Sequence, residues 1–337
     1  LVTEVGDPDI SLITRGDRID RVQVPTDLSN GIGTLVSVRG GADPRLMILD
    51  VIPGSPAEAA GLAEREAILE INGEPIDPDI PLEETVGLLR GEPGSEVVLK
   101  VRSSLSGERV VSVERGEIRA GGRDLRWTYL EESNTLDVLF SPREPADIGN
   151  QFLGILQQVL DRGTLGGLIL DMRVANTGPT SSMSGILPLF TNGPVAFNVG
   201  RDDRTPITIT AEFSIFEDPQ SLPLVILVGP ETQGTPELVA GVLQDSGRAV
   251  LLGQPTPGDV EGVSSYYLPN GTQMVLPITS VETAIQGNDI GADGLTPDLE
   301  LSTDWDESTY TADPVIEAAQ EFILLIQRQT VPGGGEG

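Results

Sequence analysis

Cysteine and histidine are absent from the 337 residues, and lysine occurs once, at Lys100. Without cysteine there is no disulfide and no thiolate nucleophile. Without either residue there is no Cys/His zinc site and no Ser-His-Asp triad. A serine–lysine dyad would have to use Lys100. Aromatic residues are 4% of the chain, so the core has to be aliphatic. No apolar run reaches the ~18 residues that a membrane-spanning helix needs. Positive charge is scarce as well: 52 acidic against 21 basic side chains leave a net charge of −31. A surface that negative repels phosphate backbones and anionic lipid, which argues against nucleic-acid and membrane-surface partners. An acidic protein kept soluble outside the cytoplasm and a protein adapted to high salt both fit this charge. Zero cysteine does not by itself assign a compartment.

What is present is ordinary for a folded protein. Hydrophobic residues make up 38% and charged residues 22%, and the length suits about two domains. The chain starts at Leu1, which fits a trimmed N-terminus with a targeting segment removed; an extracytoplasmic location (periplasmic, cell-surface or secreted) is the expectation.

Residues 1–30 read as a polar lead-in with one short strand, Arg21 to Val24. The Arg15-Gly16-Asp17 tripeptide in it is given no role. Residues 31–118 read as a compact module. Strands are expected at Thr34–Val38, Leu46–Val51, Ala67–Ile71, Val97–Val101 and Val110–Val113, each rich in Val, Ile or Leu. A short helix follows Ser55 as N-cap with Pro56 at its first position. A second, from Pro81 to Arg90, places Leu82, Val86 and Leu89 on one face. Asn72-Gly73 is a hairpin-turn signal.

Residues 119–330 form a larger α/β region, and 331–337 a glycine-rich flexible tail. Strands are expected at Asp124–Leu130, Thr135–Phe140, Gly167–Met172, Leu222–Val228 and Ala249–Leu252. Amphipathic helices are expected at Ala146–Arg162, from Thr235 to Gly247, and at Asp313–Arg328. Tyr266–Leu268 and Met274–Pro277 flank Pro269-Asn270-Gly271 as a hairpin. Strands alternating with helices imply a parallel-rich core.

The order of these elements resembles a known family. Asn30-Gly31-Ile32-Gly33 before a strand, Gly54-Ser55-Pro56-Ala57-Glu58-Ala59-Ala60-Gly61-Leu62, and Ile68-Leu69-Glu70-Ile71-Asn72-Gly73 are similar to a PDZ domain. It is the variety found in C-terminal processing peptidases, also called tail-specific proteases. Gly166-Gly167-Leu168-Ile169-Leu170-Asp171-Met172-Arg173 resembles that family's GLILDLR strand. Glu237–Asp245 and Gly247–Val250 resemble the helix and strand after its nucleophile, and Gly294-Leu295-Thr296-Pro297-Asp298 its GIxPD turn. The match runs over about residues 30–325 in the family's order. It implies a mixed α/β fold, a PDZ-like β-rich module joined to a tail-specific-protease-like α/β core.

The reactive positions do not follow the family. Its serine nucleophile lies three residues before the glutamate that opens the helix; counted from Glu237, that position is Gly234. Its lysine base falls on Asp259 and its glutamine on Val263. The oxyanion loop becomes Val174-Ala175-Asn176-Thr177-Gly178. A Ser/Lys pair works because a desolvated lysine accepts the serine proton near neutral pH. Glycine has nothing to attack with, and aspartate reverses the charge of the base. Lys100, in a strand of the first module, is expected to be a solvated face or edge residue. The resemblance then implies a pseudopeptidase of serine-type fold with no catalytic residue.

Two threonines flank Gly234. Thr232 or Thr235 could be a displaced nucleophile with Glu231, Glu237 or Asp259 as base, but Thr235 before Pro236-Glu237 reads first as a helix N-cap, and a carboxylate is a feeble base for an alkoxide. Asp304-Trp305-Asp306-Glu307 and Asn288–Asp293 offer oxygen ligands without EF-hand spacing and read as solvated loops. Asn270-Gly271-Thr272 fits a glycosylation sequon but reads as a turn. No metal or cofactor is implied.

The resemblance puts peptide binding on the PDZ groove. Gly31, Ile32 and Gly33 would form the backbone nest for a terminal carboxylate, and Thr34, Leu35 and Val36 the pairing edge. Leu82, Val86 and Leu89 would be an apolar wall, although they cannot all face both groove and core. Three functions stay open. The first is a binding scaffold for C-terminal tails or extended segments, which could self-assemble into a homo-oligomer. The second is an endopeptidase with a rearranged serine/threonine site, and the third a structural or surface-layer component.

Overall fold

A computed structural model describes residues 11–13, 29–119, 121–143, 147–176, 185–210, 222–267 and 273–330. The expected strand Arg21–Val24, the turn Pro269-Asn270-Gly271, the sequon around it and the glycine-rich tail lie outside the described residues. After the short β1 (Ser11–Ile13), the first module runs β2 (Ser29–Gly31), β3 (Thr34–Arg39), β4 (Arg45–Val51), α1 (Pro56–Ala59), β5 (Glu66–Ile71), β6 (Glu74–Pro75), α2 (Leu82–Leu89), β7 (Glu96–Ser103), β8 (Gly107–Glu114) and β9 (Gly116–Ile118). Its antiparallel sheet has the order β3-β4-β5-β7-β8, with β6 beside β5, and β2 pairs with β9.

The local signals act as expected here. Ser55 accepts the Glu58 N–H at the start of α1, with Pro56 at its first turn. Asn72 and Gly73 both take positive φ in the β5–β6 hairpin. Leu46, Ile48, Ile68, Val97, Leu99 and Val101 fill the module's core.

The second region contains β10 (Arg126–Leu130), β11 (Thr135–Leu139), α3 (Ile148–Leu160), β12 (Gly167–Asp171), β13 (Gly193–Gly200), β14 (Arg204–Ile209), β15 (Leu224–Val228), α4 (Thr235–Asp245), β16 (Val250–Gly253), β17 (Gly262–Tyr267), β18 (Gln273–Thr283), α5 (Ile290–Asp293), β19 (Leu299–Glu300) and α6 (Pro314–Thr330). One sheet has the order β10-β11-β12-β15-β16-β19. It is parallel except for β10, which pairs antiparallel with β11.

Its central strands are buried on both faces, which is why they read as continuous apolar runs. Leu168, Leu170, Leu224 and Ile226 pack with α3 and α4 on one side. Ile169, Val225 and Leu227 pack with Val315, Ala319 and Ile323 of α6 on the other.

A second, antiparallel sheet, β1-β18-β13-β14 with β17 against β18, covers one end. Neither β13 nor β14 was expected. Gly193-Pro194 reads as a turn, and most of β14 is exposed, so its residues carry no buried periodicity.

The two regions share one strand. Every residue of β4 is buried. Leu46 and Ile48 point into the first module. Met47 and Leu49 pack against Leu139, Val174 and Trp305 of the second. Ion pairs line the same seam. Arg45 holds Asp306 through Nε at 2.7 Å and Nη2 at 3.1 Å, and Asp304 at 2.9 Å. The acidic stretch 304–307 is therefore no solvated loop: Asp306 is buried, and both aspartates face arginines of the other module. Arg65 lies 3.8 Å above the Trp305 ring and donates to Asp313 at 2.8 Å.

Candidate functional site

The corner around Gly234 is built from three chain segments. α4 begins at Thr235, and Gly234 is its N-cap, with φ 68° and ψ −129°. Thr235 is thus the first helical residue and not the cap, because the left-handed turn at glycine starts the helix one residue earlier. Gln233 N–H donates to the Ala175 carbonyl at 3.1 Å, so residues 174–176 lie along the strand leading into the corner. Thr177 and Gly178 lie outside the described residues.

Glu237 organises the third segment. Its buried carboxylate accepts from Thr256 Oγ1, from Gly258 N–H at 2.7 Å and from Asp259 N–H at 2.9 Å. Burial pushes this carboxyl up from its ordinary pKa, against the pull of those three donors. The result is that residue 259 is held beside the first turn of α4. Asp259 is half-buried there, while Val263 is exposed on β17. Glu237 thus brings residue 259 to the first turn of the helix that Gly234 caps, while no hydrogen bond of this corner involves Val263.

Thr232 is not set up as a nucleophile by its contacts in this corner. Thr232 is fully buried, its hydroxyl donating to Met172 O at 2.8 Å and accepting from Gly229 N–H at 2.9 Å. Lys100 is on β7, partly exposed, within 3.2 Å of both Glu70 and Glu108. Its hydrogen bonds to those two carboxylates raise its pKa, so it stays an ammonium ion.

At the other candidate site, β3 ends its sheet, and among the described residues no strand pairs with its outer edge. All six of its residues are half-buried. The Ile32 carbonyl accepts from Ala57 N–H at 2.8 Å and the Gly33 carbonyl from Ile52 N–H at 2.9 Å. In a trans peptide the N–H points opposite to the carbonyl. The Gly33 and Thr34 N–H groups therefore point away from those partners, as an anion nest requires.

Gly33 has φ 86°, and a Cβ there would collide with Ser55. Ile32 itself is a core side chain, buried with Leu89. Leu89 and Thr85 face inward from α2 and Leu82 packs against the same core, so of the expected wall residues the half-buried Val86 is left for a groove.

Two regions of the chain match known protein families. Residues 146–301 match the model of peptidase family S41 and residues 47–103 that of a PDZ domain. A carboxyl-terminal-processing protease of Picosynechococcus sp. is 32% identical over 296 residues, 82% of this chain and 65% of the relative. The chain carries a PDZ domain joined to a peptidase family S41 domain.

Carboxyl-terminal-processing peptidase 3, chloroplastic, of Arabidopsis thaliana is 25% identical, covering 97% of this chain and 63% of that protein. The chain thus spans a little under two thirds of these relatives' length. The solved photosystem II D1 C-terminal processing protease shares the fold, with a TM-score of 0.60 at 22% identity over 96% of this chain and 83% of that one.

Sequence reasoning missed how the two domains meet beside the S41 corner. Ser37 Oγ donates to Glu231 at 2.8 Å, and Arg39 donates to Glu231 at 2.9 Å and to Asp304 at 3.1 Å. The pairing edge of the PDZ domain is thereby hydrogen-bonded to the loop that precedes Gly234.

Also missed was a buried charge cluster under the seam. Arg173 donates to Asp171 at 2.7 Å and to Asp313 at 2.8 Å. Burial would push the Asp313 carboxyl up, but Arg173 and then Arg65 outweigh it and hold it at about 2. Asp171 and Arg173 lie in the GLILDMR stretch, but their partners Arg65 and Asp313 come from two distant segments, so the motif alone does not mark the cluster.

Proposed function

We propose that this chain binds C-terminal tails or extended protein segments on its PDZ domain and does not cleave them. It is a pseudopeptidase scaffold that works outside the cytoplasm. The observation carrying this reading is Gly234 at the N-cap of α4. The frame around it stands, with Glu237 holding the 256–259 loop against the helix. Acyl transfer needs a nucleophilic atom at the helix start and a base to take its proton. Gly234 supplies no atom, and the only lysine is on β7, paired with two glutamates.

Binding needs much less. A peptide adding to β3 uses backbone hydrogen bonds, with its terminal carboxylate on the N–H groups of the Gly31-Ile32-Gly33 loop. Thr34, Leu35 and Val36 form the pairing edge, and the half-buried Val86 lies on the neighbouring helix. The acidic surface of the chain, with a net charge of −31, favours tails that are apolar or basic over acidic ones. Self-assembly is one form of this reading, in which the terminal segment of one copy docks on the next.

The test pairs two measurements. Unfolded casein and apolar-tailed peptides are incubated with the protein and analysed by mass spectrometry, alongside the double variant Gly234→Ser, Asp259→Lys. The same peptides, as free acids and as C-terminal amides, are titrated by fluorescence anisotropy. Intact substrate together with binding that favours the free acid is the expected result. Specific cuts by the natural chain, lost in Thr232→Ala or Thr235→Ala, would overturn it. For self-assembly, removal of residues 331–337 should reduce particle size in light scattering, and an unchanged size would end that form.

A further inference from the structure

The Gly31-Ile32-Gly33 loop lies against the electrostatically unfavourable end of a helix. A Cβ at Gly31 would be 3.3 Å from the Leu89 carbonyl oxygen and 3.5 Å from Arg90 Cα, so the loop touches the C-terminus of α2. The last carbonyls of a helix have no partner within it and carry the negative end of its dipole. An anion seated on the loop would face that end, in a chain whose net charge is already −31.

Two arginines change the balance there. Arg115, just past β8, donates from Nη2 to the Leu88 carbonyl at 2.7 Å and from Nε to the Leu89 carbonyl at 3.3 Å. Its Nη1 donates to the Glu96 carbonyl at 2.8 Å and to Ser95 Oγ at 3.2 Å. All four acceptors are neutral, so the helix carbonyls are covered and the guanidinium keeps its full charge. Arg90 is the residue that ends α2, with an extended backbone. Its stem lies along the loop, with Cγ 3.7 Å from where a Cβ of Gly31 would be, and the side chain is exposed.

The other basic side chains of residues 31–118 are matched. Arg39, Arg45, Arg65, Lys100, Arg102 and Arg109 each have a carboxylate within 3.2 Å. Among the described residues, neither Arg90 nor Arg115 has one. Acidic side chains outnumber basic ones 52 to 21, so scarcity of carboxylates is not the reason. Glu92, two residues beyond Arg90, and Glu117, opposite Asn30 in the β2–β9 pair, are both exposed and pair with neither arginine. The two uncompensated charges of this domain therefore meet at one corner, beside outward-turned N–H groups.

We propose that Arg90 is a specificity-determining residue for tail binding: its guanidinium reaches over Gly31 and pairs with the terminal carboxylate seated on the loop. Arg115 is a positioning residue, which occupies the carbonyls that would repel that carboxylate. This inference rests on the reading of β3 as the tail-binding edge and adds a charge to its backbone donors. A guanidinium fork matches a carboxylate in shape as well as in sign, which an ammonium does not. The pair is exposed, so salt should weaken it while leaving strand pairing and apolar contact intact.

The experiment is fluorescence anisotropy on the intact chain with a labelled Ser-Thr-Ala-Val-Ala-Leu peptide, as free acid and as C-terminal amide. Each is titrated at about 50 mM and about 500 mM sodium chloride. Arg90→Gln should weaken binding of the free acid by about three- to tenfold, leave the amide unchanged, and remove the salt dependence of the acid-to-amide ratio. Arg90→Lys should recover part of that ratio. Arg115→Gln should lower it as well, with the amide unchanged; an equal loss for both peptides would reduce Arg115 to a structural role. Lys100→Gln, the same change in net charge on β7, is the control and should alter neither.

A second measurement does not need a long tail. N-acetyl-L-leucine and its amide are titrated into the ¹⁵N-labelled chain by NMR, following the Gly33 and Thr34 amides and the Arg90 Nε–H. Only the acid should shift all three. If the hexapeptide prefers the acid form equally in the natural chain and in Arg90→Gln, the tail reading stands and the role of Arg90 is overturned. If neither hexapeptide binds while N-acetyl-L-leucine still shifts the three signals, the tail reading fails and the carboxylate site with Arg90 remains. No shift at Arg90 with the acid, or the same shift with the amide, overturns the proposal.

Discussion

The free edge of β3 and the N-terminus of α4 are the two places where an extended peptide would meet this chain, and they retain different things. At β3 the proposed working parts are backbone: a strand edge that is unpaired among the described residues, and N–H groups turned outward by the Gly31-Ile32-Gly33 loop. Almost any side chains that keep the strand and the turn preserve them. At α4 the working parts of a peptidase would be particular side-chain atoms. There the structure has a helix start, the Glu237 hydrogen bonds and a bridge between Asn176 and Gln233. None of that scaffold supplies a nucleophile. Backbone recognition tolerates sequence drift, whereas chemistry can disappear through one substitution that the fold scarcely registers.

The largest effect should come from separating the two regions. Asp313 joins Arg65 of the PDZ domain to Arg173 of the S41 domain and accepts the Val315 N–H at the start of α6. Asp313→Ala leaves two buried guanidinium groups short of a partner and should cost about 3–5 kcal/mol in urea unfolding. Because the folded carboxyl is held at about 2, below its unfolded value near ~3.9, the unfolded chain takes up the proton first. The stabilisation by Asp313 is therefore complete above about pH 4 and lost as pH falls towards 2. A difference between wild type and variant that did not shrink over that window would contradict the pairing.

Next in size is Glu237→Ala, which strands the Thr256 hydroxyl and two backbone N–H groups in the interior. A loss of about 2–4 kcal/mol is expected, with tail-peptide affinity unchanged. If tail binding fell in parallel, the two regions would not be independent.

Smaller again is the pair of glycine substitutions that sets one site against the other. Gly234→Ala places a Cβ at φ 68° and should cost about 1–2 kcal/mol while leaving tail binding intact. Gly33→Val meets Ser55 at φ 86° and should reduce affinity for free-acid peptides by about tenfold or more in anisotropy. Equal effects on binding from both would break the comparison. Smallest of all is Lys100→Gln, which removes the only lysine from an exposed face and should change neither melting temperature nor peptide binding.

Much of this architecture was legible from local patterns. Ser55-Pro56, Asn72-Gly73, the continuous run Leu168-Ile169-Leu170 and the spacing in α3 each dictate conformation through neighbours a few residues away. The absence of histidine and cysteine is likewise read directly. The helix start at Gly234 was misread by one residue, because a threonine before proline is as good a cap on local grounds as the glycine preceding it. What turned Thr232 inward was Met172, sixty residues earlier.

The sequence by itself therefore determined most of the strands and helices and the pairing of a PDZ module with an S41 core. Only the tertiary structure decided that β4 is buried from both sides and that Asp304 and Asp306 serve arginines of the other domain. It alone decided that Glu231 holds Ser37 and Arg39 at the far end of β3 and that Arg65, Arg126 and Asp137 line one cavity. Local signals act through a few neighbouring dihedrals and a repeating face. Charge pairs and cavities depend on side chains brought together from positions up to hundreds of residues apart, and no periodicity records that meeting.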